Sequence, residues 1–470
     1  MLIPFPVTPM NPAYDYLLPR PYQYAVHEGF FSLERPVRVA VGLEQIADRL
    51  RFFGATVAAD AAAAIELATG AGLPPEGFTL EVTPERIVLK AGDAAGRLYG
   101  AHALEQLLWI AFRWGANAAQ LECGVVQDRP RYRWRGLMLD SARHFQDRQT
   151  ILETLRMMGK LRLNRFHWHL TDAQAWRIPA KGAPELNGHG DWQDGAYTPE
   201  DFAAIRAEAA RQCIEILPEI DMPGHNVFLL GLHPELRCDP AVHGWEICLA
   251  NPASMAFMKA RLLETIELLP ECKVVHIGDD ECGTSHWDKC PKCQAKIREL
   301  GLQDSRALEE WFTTEICNFL LEHGRTPMVW GTNIKPPKET ILQCWGNECD
   351  MVTCAAHDGN PVVSSIDHAY YLDYPQDDED PHSDPMTPVT DFDTYSSTVG
   401  AHMAEYLGDR LLGAEAPLWT ELVPQWRVRM KLLDRAIALA EATWSQQRHK
   451  HYRNFLQRKR GLELAGYTWW

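Results

Sequence analysis

Lys273-Val-Val-His276-Ile-Gly278-Asp279-Asp280-Glu281 reads as a short apolar strand running straight into three consecutive carboxylates. A run of apolar residues without polar alternation suits a strand buried on both faces, as in a parallel sheet. Acidic groups gathered at its C-terminal end are what the catalytic rim of an α/β barrel needs. The same design recurs from about Arg131 onward. Strand candidates are Gly136–Asp140, Arg165–Asp172, Glu215–Asp221, Lys273–Asp280, Pro327–Gly331, Thr340–Trp345, Pro361–Asp367 and Ala416–Glu421. Helical stretches such as Arg148–Lys160, Pro199–Gln212 and Ser254–Leu269 fall between them. Eight strands alternating with helices predict an α/β fold, a (β/α)8 TIM barrel.

The strand ends carry Asp140, Asp172, Asp221, Asp280 with Glu281, Trp330, Trp345, and Trp419 with Glu421. One or two such carboxylates are explained as caps of the helix that follows. The whole set points to a site on the C-terminal rim.

Ahead of the barrel, Phe78-Thr-Leu-Glu-Val-Thr83 and Ile87-Val-Leu-Lys90 alternate like the arms of a hairpin. Ala95–Ile110 has amphipathic helical spacing, and Ala58–Ala68 is rich enough in alanine to predict a second helix. The expected organisation is a small α/β N-terminal domain over 1–130 and the catalytic barrel over 131–470. The acidic, proline-rich stretch Pro375–Pro385 is expected to be a loop, either on the site's outer wall or simply solvated.

The chain has 470 residues, 46% of them hydrophobic and 23% charged, as in an ordinary globular protein. Its 46 basic against 63 acidic side chains give a formal charge of −17, which disfavours nucleic acid and anionic membranes as partners. Sixteen tryptophans favour sugar chemistry, because an indole face stacks on a pyranose ring. The opening residues lack a basic n-region followed by an apolar run, so a cytoplasmic location is the expectation. No window approaches a membrane span.

His276-Ile-Gly-Asp-Asp-Glu281 resembles the His-Ile-Gly-Gly-Asp-Glu motif of family 20 glycoside hydrolases, the β-N-acetylhexosaminidases. Further segments match in the family's order: Arg135-Gly-Leu-Met-Leu-Asp-Ser-Ala-Arg-His-Phe145, Asn164-Arg-Phe-His-Trp-His-Leu-Thr-Asp172, Pro218-Glu-Ile-Asp-Met-Pro-Gly-His225, Trp419-Thr-Glu421 and Ala438-Leu-Ala-Glu-Ala-Thr-Trp-Ser445. The resemblance implies exo-acting, retaining hydrolysis of terminal β-linked GlcNAc or GalNAc, a small-molecule glycan substrate and no required cofactor. In that scheme the substrate's own 2-acetamido oxygen attacks the anomeric carbon and forms an oxazolinium ion.

By resemblance, Glu281 is the general acid/base and Asp280 the anion that orients the acetamido N–H. Arg135 would hold the 3- and 4-hydroxyls, and Glu421 the 4- and 6-hydroxyls. Tyr371 and Asp373 would grip the acetamido group, and Trp330, Trp345 and Trp419 would box it in. Asp172 and His225 would support the acid. His144, His167 and His169 are read as core histidines.

Strict strand alternation would put Asp279 and Glu281 on one face and Asp280 on the other, so these roles require the strand to bend or stop. Asp279 replaces the family's second glycine; it either raises the acid's pKa or points away. The family's Asp-Asp-Gln-Gly-Trp is Asp172-Ala-Gln-Ala-Trp176 here, and its Trp-Asp-Glu pattern is Trp330-Gly-Thr-Asn333. Outer subsites and sugar preference are therefore open, as is the oligomeric state.

Of twelve cysteines, Cys238, Cys248, Cys282, Cys290 and Cys293 cluster near the third and fourth strands. Free buried thiols are the first reading, and a structural zinc held by four of the five is the alternative. Two other functions remain in view. Asp279-Asp-Glu281 formally contains the Asp-x-Glu of chitinase-like endo-hydrolases, and barrels of this kind also serve as non-catalytic sugar binders.

Overall fold

The computed structural model describes residues 12–114, 119–331, 334–345, 359–365, 367–377, 380, 382–383, 386–397 and 406–470. The chain divides into two compact units, Met1–Arg133 with Arg156–Arg162 and Ala440–Trp470, and Trp134–Leu155 with Leu163–Leu439. The expected division at 130/131 therefore differs at the C-terminus, where residues from Ala440 onward group with the first unit.

In the first unit six strands form one sheet: β1 (Gln23–Ser32), β2 (Val37–Val39), β3 (Ala63–Thr69), β4 (Phe78–Val82), β5 (Arg86–Ala91) and β6 (Gln120–Asp128), in the order β1-β6-β4-β5-β3-β2. β4 and β5 make the expected antiparallel hairpin, with Phe78 opposite Ala91. Helix α1 is Glu44–Phe52, and α2, Ala94–Trp114, buries Leu104, Leu107 and Leu108 completely. The alanine-rich stretch Ala58–Ala68 is not a helix; from Ala63 it is part of β3, which pairs in parallel with both β2 and β5. Pairing on both edges overrides alanine's helical preference.

The second unit is a closed barrel of eight parallel strands: β7 (Trp134–Asp140), β8 (Arg165–His169), β11 (Glu215–Met222), β12 (Val274–Gly278), β13 (Thr326–Trp330), β14 (Ile341–Cys344), β15 (Val362–Ser364) and β16 (Leu411–Leu418). Between β8 and β11, β9 (Thr171–Asp172) and β10 (Ala175–Trp176) form a small antiparallel ribbon. The described helices between strands include α3 (Arg148–Lys160), α4 (Pro199–Arg211), α5 (Val227–Leu232), α6 (Pro252–Leu268), α7 (Ser285–Lys289), α8 (Pro291–Leu300) and α9 (Ser305–Glu322). The last strand starts and stops earlier than the expected Ala416–Glu421 and runs through Gly413, a residue type that weakens a strand interior. Ile366, Thr332 and Asn333, with Asp378, Glu379, Pro381, Asp384 and Pro385 of the acidic stretch, lie outside the described residues.

Trp134, Leu217, Val274, Met328, Ile341, Val363 and Leu412 fill an apolar layer of the barrel core. Another part of the interior is charged. His167 Nδ1 lies 2.6 Å from Glu415 Oε1 and its Nε2 lies 3.1 Å from Glu219 Oε2. Glu219 also meets His169, His276 and the Trp330 indole, whose N–H donates to it at 2.8 Å. Burial alone would depress the His167 pKa, but Glu415 and Glu219 outweigh it and lift it to about 9. A charge this deep persists only when it is paired and hydrogen-bonded.

Candidate active site

β12 stops at Gly278, and the chain then turns sharply, with left-handed φ at Gly278 (72°), Asp279 (71°) and Glu281 (54°). That turn supplies the break in alternation that the site requires. Asp280 and Glu281 both line one pocket at the C-terminal rim, while Asp279 does not. Gly278 has no room for a side chain, since a Cβ there would lie 1.8 Å from Asp221 Oδ1.

The pocket holds about 240 Å³. Arg143, Asp172, Asp221, His225, Trp330, Trp345, Tyr371, Asp373, Tyr374, Trp419 and Glu421 complete its wall. Ten of the eleven residues singled out from the sequence thus meet in one place. The exception is Arg135, which is wholly buried in β7, with its backbone N–H donating to Asn164 Oδ1 at 3.1 Å.

Arg143, eight positions later in the same motif, takes the place expected of Arg135. Alternation along β7 buries Arg135 in the barrel wall, whereas Arg143 lies in the loop beyond the strand and turns back over the rim. Its Nη2 lies 2.7 Å from Asp172 Oδ2 and 3.5 Å from Glu421 Oε1, and its Nη1 lies 3.3 Å from Asp140 Oδ2. The guanidinium also lies 5.0 Å from the Trp419 ring centre.

A polar chain links the barrel interior to the pocket. From Glu219 it passes through His169, whose Nε2 is 3.0 Å from Asp172 Oδ2, and then to His225 Nδ1 at 3.3 Å from Asp172 Oδ1. His225 Nε2 in turn lies 3.8 Å from Asp280 Oδ2 and 3.7 Å from Glu281 Oε2. Trp245 packs against the His225 ring at 4.4 Å between centroids.

Burial works against the charge on His225, yet Asp221, Asp172 and Asp280 raise its pKa to about 10. Burial raises Asp280 to about 6, with His225 opposing and Glu219, Asp172 and Glu281 adding to it. Burial also raises Asp172, but Arg143, His169 and His225 more than reverse that and hold it well below the usual range. Burial and then Glu421 push Asp373 up to about 8. Asp280 is 12% exposed and Glu281 57%, so the first is locked in the wall and the second reaches into the opening.

Asp279 points away from the pocket. It accepts from Thr313 Oγ1 at 2.9 Å on α9 and lies beside Cys282 and Glu309. The reading in which it turns away is the one that holds. His167 and His169 are buried as expected, but as members of the charged network. The sequence assigned no role to Glu219 or Glu415; the signal for them was an acidic residue in the interior of a barrel strand, alone in β16 and flanked by apolar residues in β11.

Residues 132–447 match the model of the glycosyl hydrolase family 20 catalytic domain, and residues 15–129 match that of the family's domain 2. The chain belongs to glycosyl hydrolase family 20. It is a glycoside hydrolase of the β-N-acetylhexosaminidase family. A β-hexosaminidase of Akkermansia muciniphila is 31% identical over 409 residues, covering 82% of each chain. The crystal structure of a β-N-acetylhexosaminidase from Bacteroides fragilis superposes with a TM-score of 0.81 at 27% identity, covering 96% of each chain. That of an exo-β-N-acetylglucosaminidase from Vibrio harveyi in complex with N-acetylglucosamine gives 0.83 at 27% identity, covering all of this chain and 80% of that one. Among the described residues no helix is long and apolar enough to cross a membrane.

Proposed function

We propose that the rim pocket removes a terminal β-linked N-acetylhexosamine by substrate-assisted hydrolysis, with Glu281 as general acid/base and Asp280 as the orienting anion. The observation that carries this reading is that both carboxylates approach one ring nitrogen, His225 Nε2, at 3.7 and 3.8 Å. Two such neighbours occupy one wall of the pocket. Most retaining glycosidases use an acid and a carboxylate nucleophile on either side of the glycosidic bond. Family 20 is among the substrate-assisted exceptions to that scheme.

The roles follow from position. Glu281, reaching into the opening, protonates the leaving oxygen and later deprotonates the attacking water. Asp280, fixed beside His225, accepts from the acetamido N–H and faces the cationic oxazolinium as it forms. Tyr371 donates to the acetamido carbonyl oxygen and holds it under the anomeric carbon, a proximity effect of up to ~10 kcal/mol. Arg143 and Glu421 bind the hydroxyls on the far side of the ring, and Trp330, Trp345 and Trp419 enclose it. The nucleophile belongs to the substrate, so the reaction calls on no cofactor. A pocket of about 240 Å³ suits one terminal sugar better than a run of polymer, which favours exo-cleavage over a chitinase-like endo mode. The intact acid, anion and tyrosine weigh against a non-catalytic sugar binder.

The test compares the nitrophenyl β-glycosides of N-acetylglucosamine, N-acetylgalactosamine and glucose, and an alkyl β-N-acetylglucosaminide, with wild-type protein and Glu281→Gln. Cleavage confined to the acetamido sugars, and lost in the variant on aglycones that leave poorly, supports the assignment. Equal cleavage of the plain glucoside overturns substrate assistance.

A further inference from the structure

Two rim loops meet at a point that the hydrolytic mechanism does not use. Cys238 and Cys248 come from the loop between β11 and α6. Cys290 precedes α8, and Cys293 lies in its first turn. All four are free thiols, and Cys248, Cys290 and Cys293 are buried. Their sulfurs lie within 4.8 Å of one another, with Cys238–Cys293 and Cys248–Cys290 at 3.9 Å and Cys248–Cys293 at 3.7 Å.

These distances have a simple geometric meaning. A zinc ion with bonds of ~2.3 Å to four thiolates at tetrahedral angles sets the sulfurs ~3.8 Å apart. Cysteines packed only as small apolar side chains have no reason to bring four sulfurs from two separate loops to one centre. Cys290-Pro-Lys-Cys293 has the two-residue spacing of a zinc knuckle, and the second pair arrives from the loop that follows the neighbouring strand β11. Cys282, the fifth cysteine of the sequence cluster, is not part of this group, because its sulfur lies with Asp279 and Glu309.

We infer that Cys238, Cys248, Cys290 and Cys293 bind one structural zinc ion, which clamps the β11 loop to the segment that follows the catalytic acid. Binding releases the thiol protons, so four neutral thiols and Zn²⁺ become a tetrathiolate site of charge −2. The clamp closes a junction that other contacts already outline. The Gly283 N–H, two residues after Glu281, donates to Glu246 Oε1 at 3.0 Å, and the Trp287 indole donates to the Ile247 carbonyl at 3.0 Å. Trp245, on the same loop, packs against His225. The zinc is therefore a positioning element: it fixes the backbone that follows Glu281 and the indole behind His225, and touches no substrate.

The experiment uses the full chain, purified without added metal and dialysed against EDTA. Metal is counted by mass spectrometry, and release is followed with a mercurial and a zinc-sensitive dye. The expected result is about one zinc per chain, released as the thiols are titrated. Cobalt exchange should give the intense thiolate-to-cobalt charge-transfer bands of a tetrahedral S4 site. Cys248→Ser and Cys293→Ser should lose the metal, while Cys282→Ser keeps it. Wild-type stoichiometry and the cobalt spectrum decide the matter even if the serine variants fail to fold. Folded protein with four titratable thiols and no metal overturns the inference. So do disulfides among the four, iron in place of zinc, or loss of metal from Cys282→Ser alone.

Discussion

Replacing Gly278 by alanine should damage the enzyme more than any other single methyl group at a glycine near the rim. Its φ of 72° lies in the left-handed region, where a non-glycine residue costs ~1–2 kcal/mol. The added Cβ would also lie 1.8 Å from Asp221 Oδ1, 2.5 Å from its Cγ and 3.2 Å from its Cα. Rotating the Asp221 side chain relieves only the first two contacts, so the backbone must shift as well. Overpacking of this kind costs ~1–3 kcal/mol, and the total comes to ~2–5 kcal/mol, a large share of the ~5–15 kcal/mol that holds a domain folded. Activity should fall further than stability, because the same shift moves Asp280 and Glu281. Gly231→Ala is the control, since Gly231 lies in α5 with nothing within 4 Å of the added carbon. It should be neutral or stabilising by up to ~1 kcal/mol. Urea midpoints and kcat/KM on the nitrophenyl GlcNAc substrate give the comparison. If Gly278→Ala matches Gly231→Ala in both, the account of how Asp280 and Glu281 come to face one pocket is wrong.

Glu281→Gln should lower kcat ~10²–10⁴-fold on an alkyl or sugar aglycone and less on nitrophenol, whose departure needs little protonation; an equal loss on both would contradict an acid role. Asp280 acts as an anion and its pKa is raised to about 6, so kcat/KM should fall as pH drops below that value, and a pH profile of Asp280→Asn should lack this limb. Arg143→Lys keeps a charge but loses the fork, and kcat/KM should drop ~10–100-fold, the worth of one or two charge-assisted hydrogen bonds; unchanged kinetics would remove Arg143 from substrate binding. Burial raises Glu309 to about 7 although Arg306 opposes it, and burial with Glu309 nearby raises Asp279. The folded state therefore holds extra protons from about pH 4.5 upward, and this contribution to stability is lost as pH rises through about 7. The Glu309 share is about 3 kcal/mol. Urea midpoints of Glu309→Gln across that range should fall less steeply with pH than those of wild type.

Much of the molecule was legible in its sequence because the signals were local and redundant. Most barrel strands are short, largely apolar runs ending in a polar or aromatic group, so eight strands could be placed within a few residues before any pairing was known. The motifs around Asp172, His225, Asp280 and Glu281 lie where each strand meets its loop, so naming the strand end also named the site residue. The misreadings came where local pattern and tertiary setting disagree. Ala58–Ala68 is alanine-rich, yet partners on both edges make most of it part of strand β3. β16 begins at Leu411, ahead of the expected Ala416, because it runs through Gly413, which local pattern sets against a strand interior. Arg135 and Arg143 share one motif, and only the closing of the barrel shows that the first is walled in while the second reaches the pocket.

By itself the sequence determined the fold class, the family resemblance and most of the groups that meet at the rim, because residue type and spacing carry that information along one chain. The tertiary structure alone decided direction and company. The left-handed turn at Gly278–Glu281 sends Asp280 and Glu281 to one wall and Asp279 to another, which depends on backbone angles that strand alternation cannot supply. Glu219 and Glu415 become partners of buried histidines only when distant strands close into a ring. Which four of five neighbouring cysteines converge is likewise a matter of loops meeting in space, and no spacing along the chain encodes it.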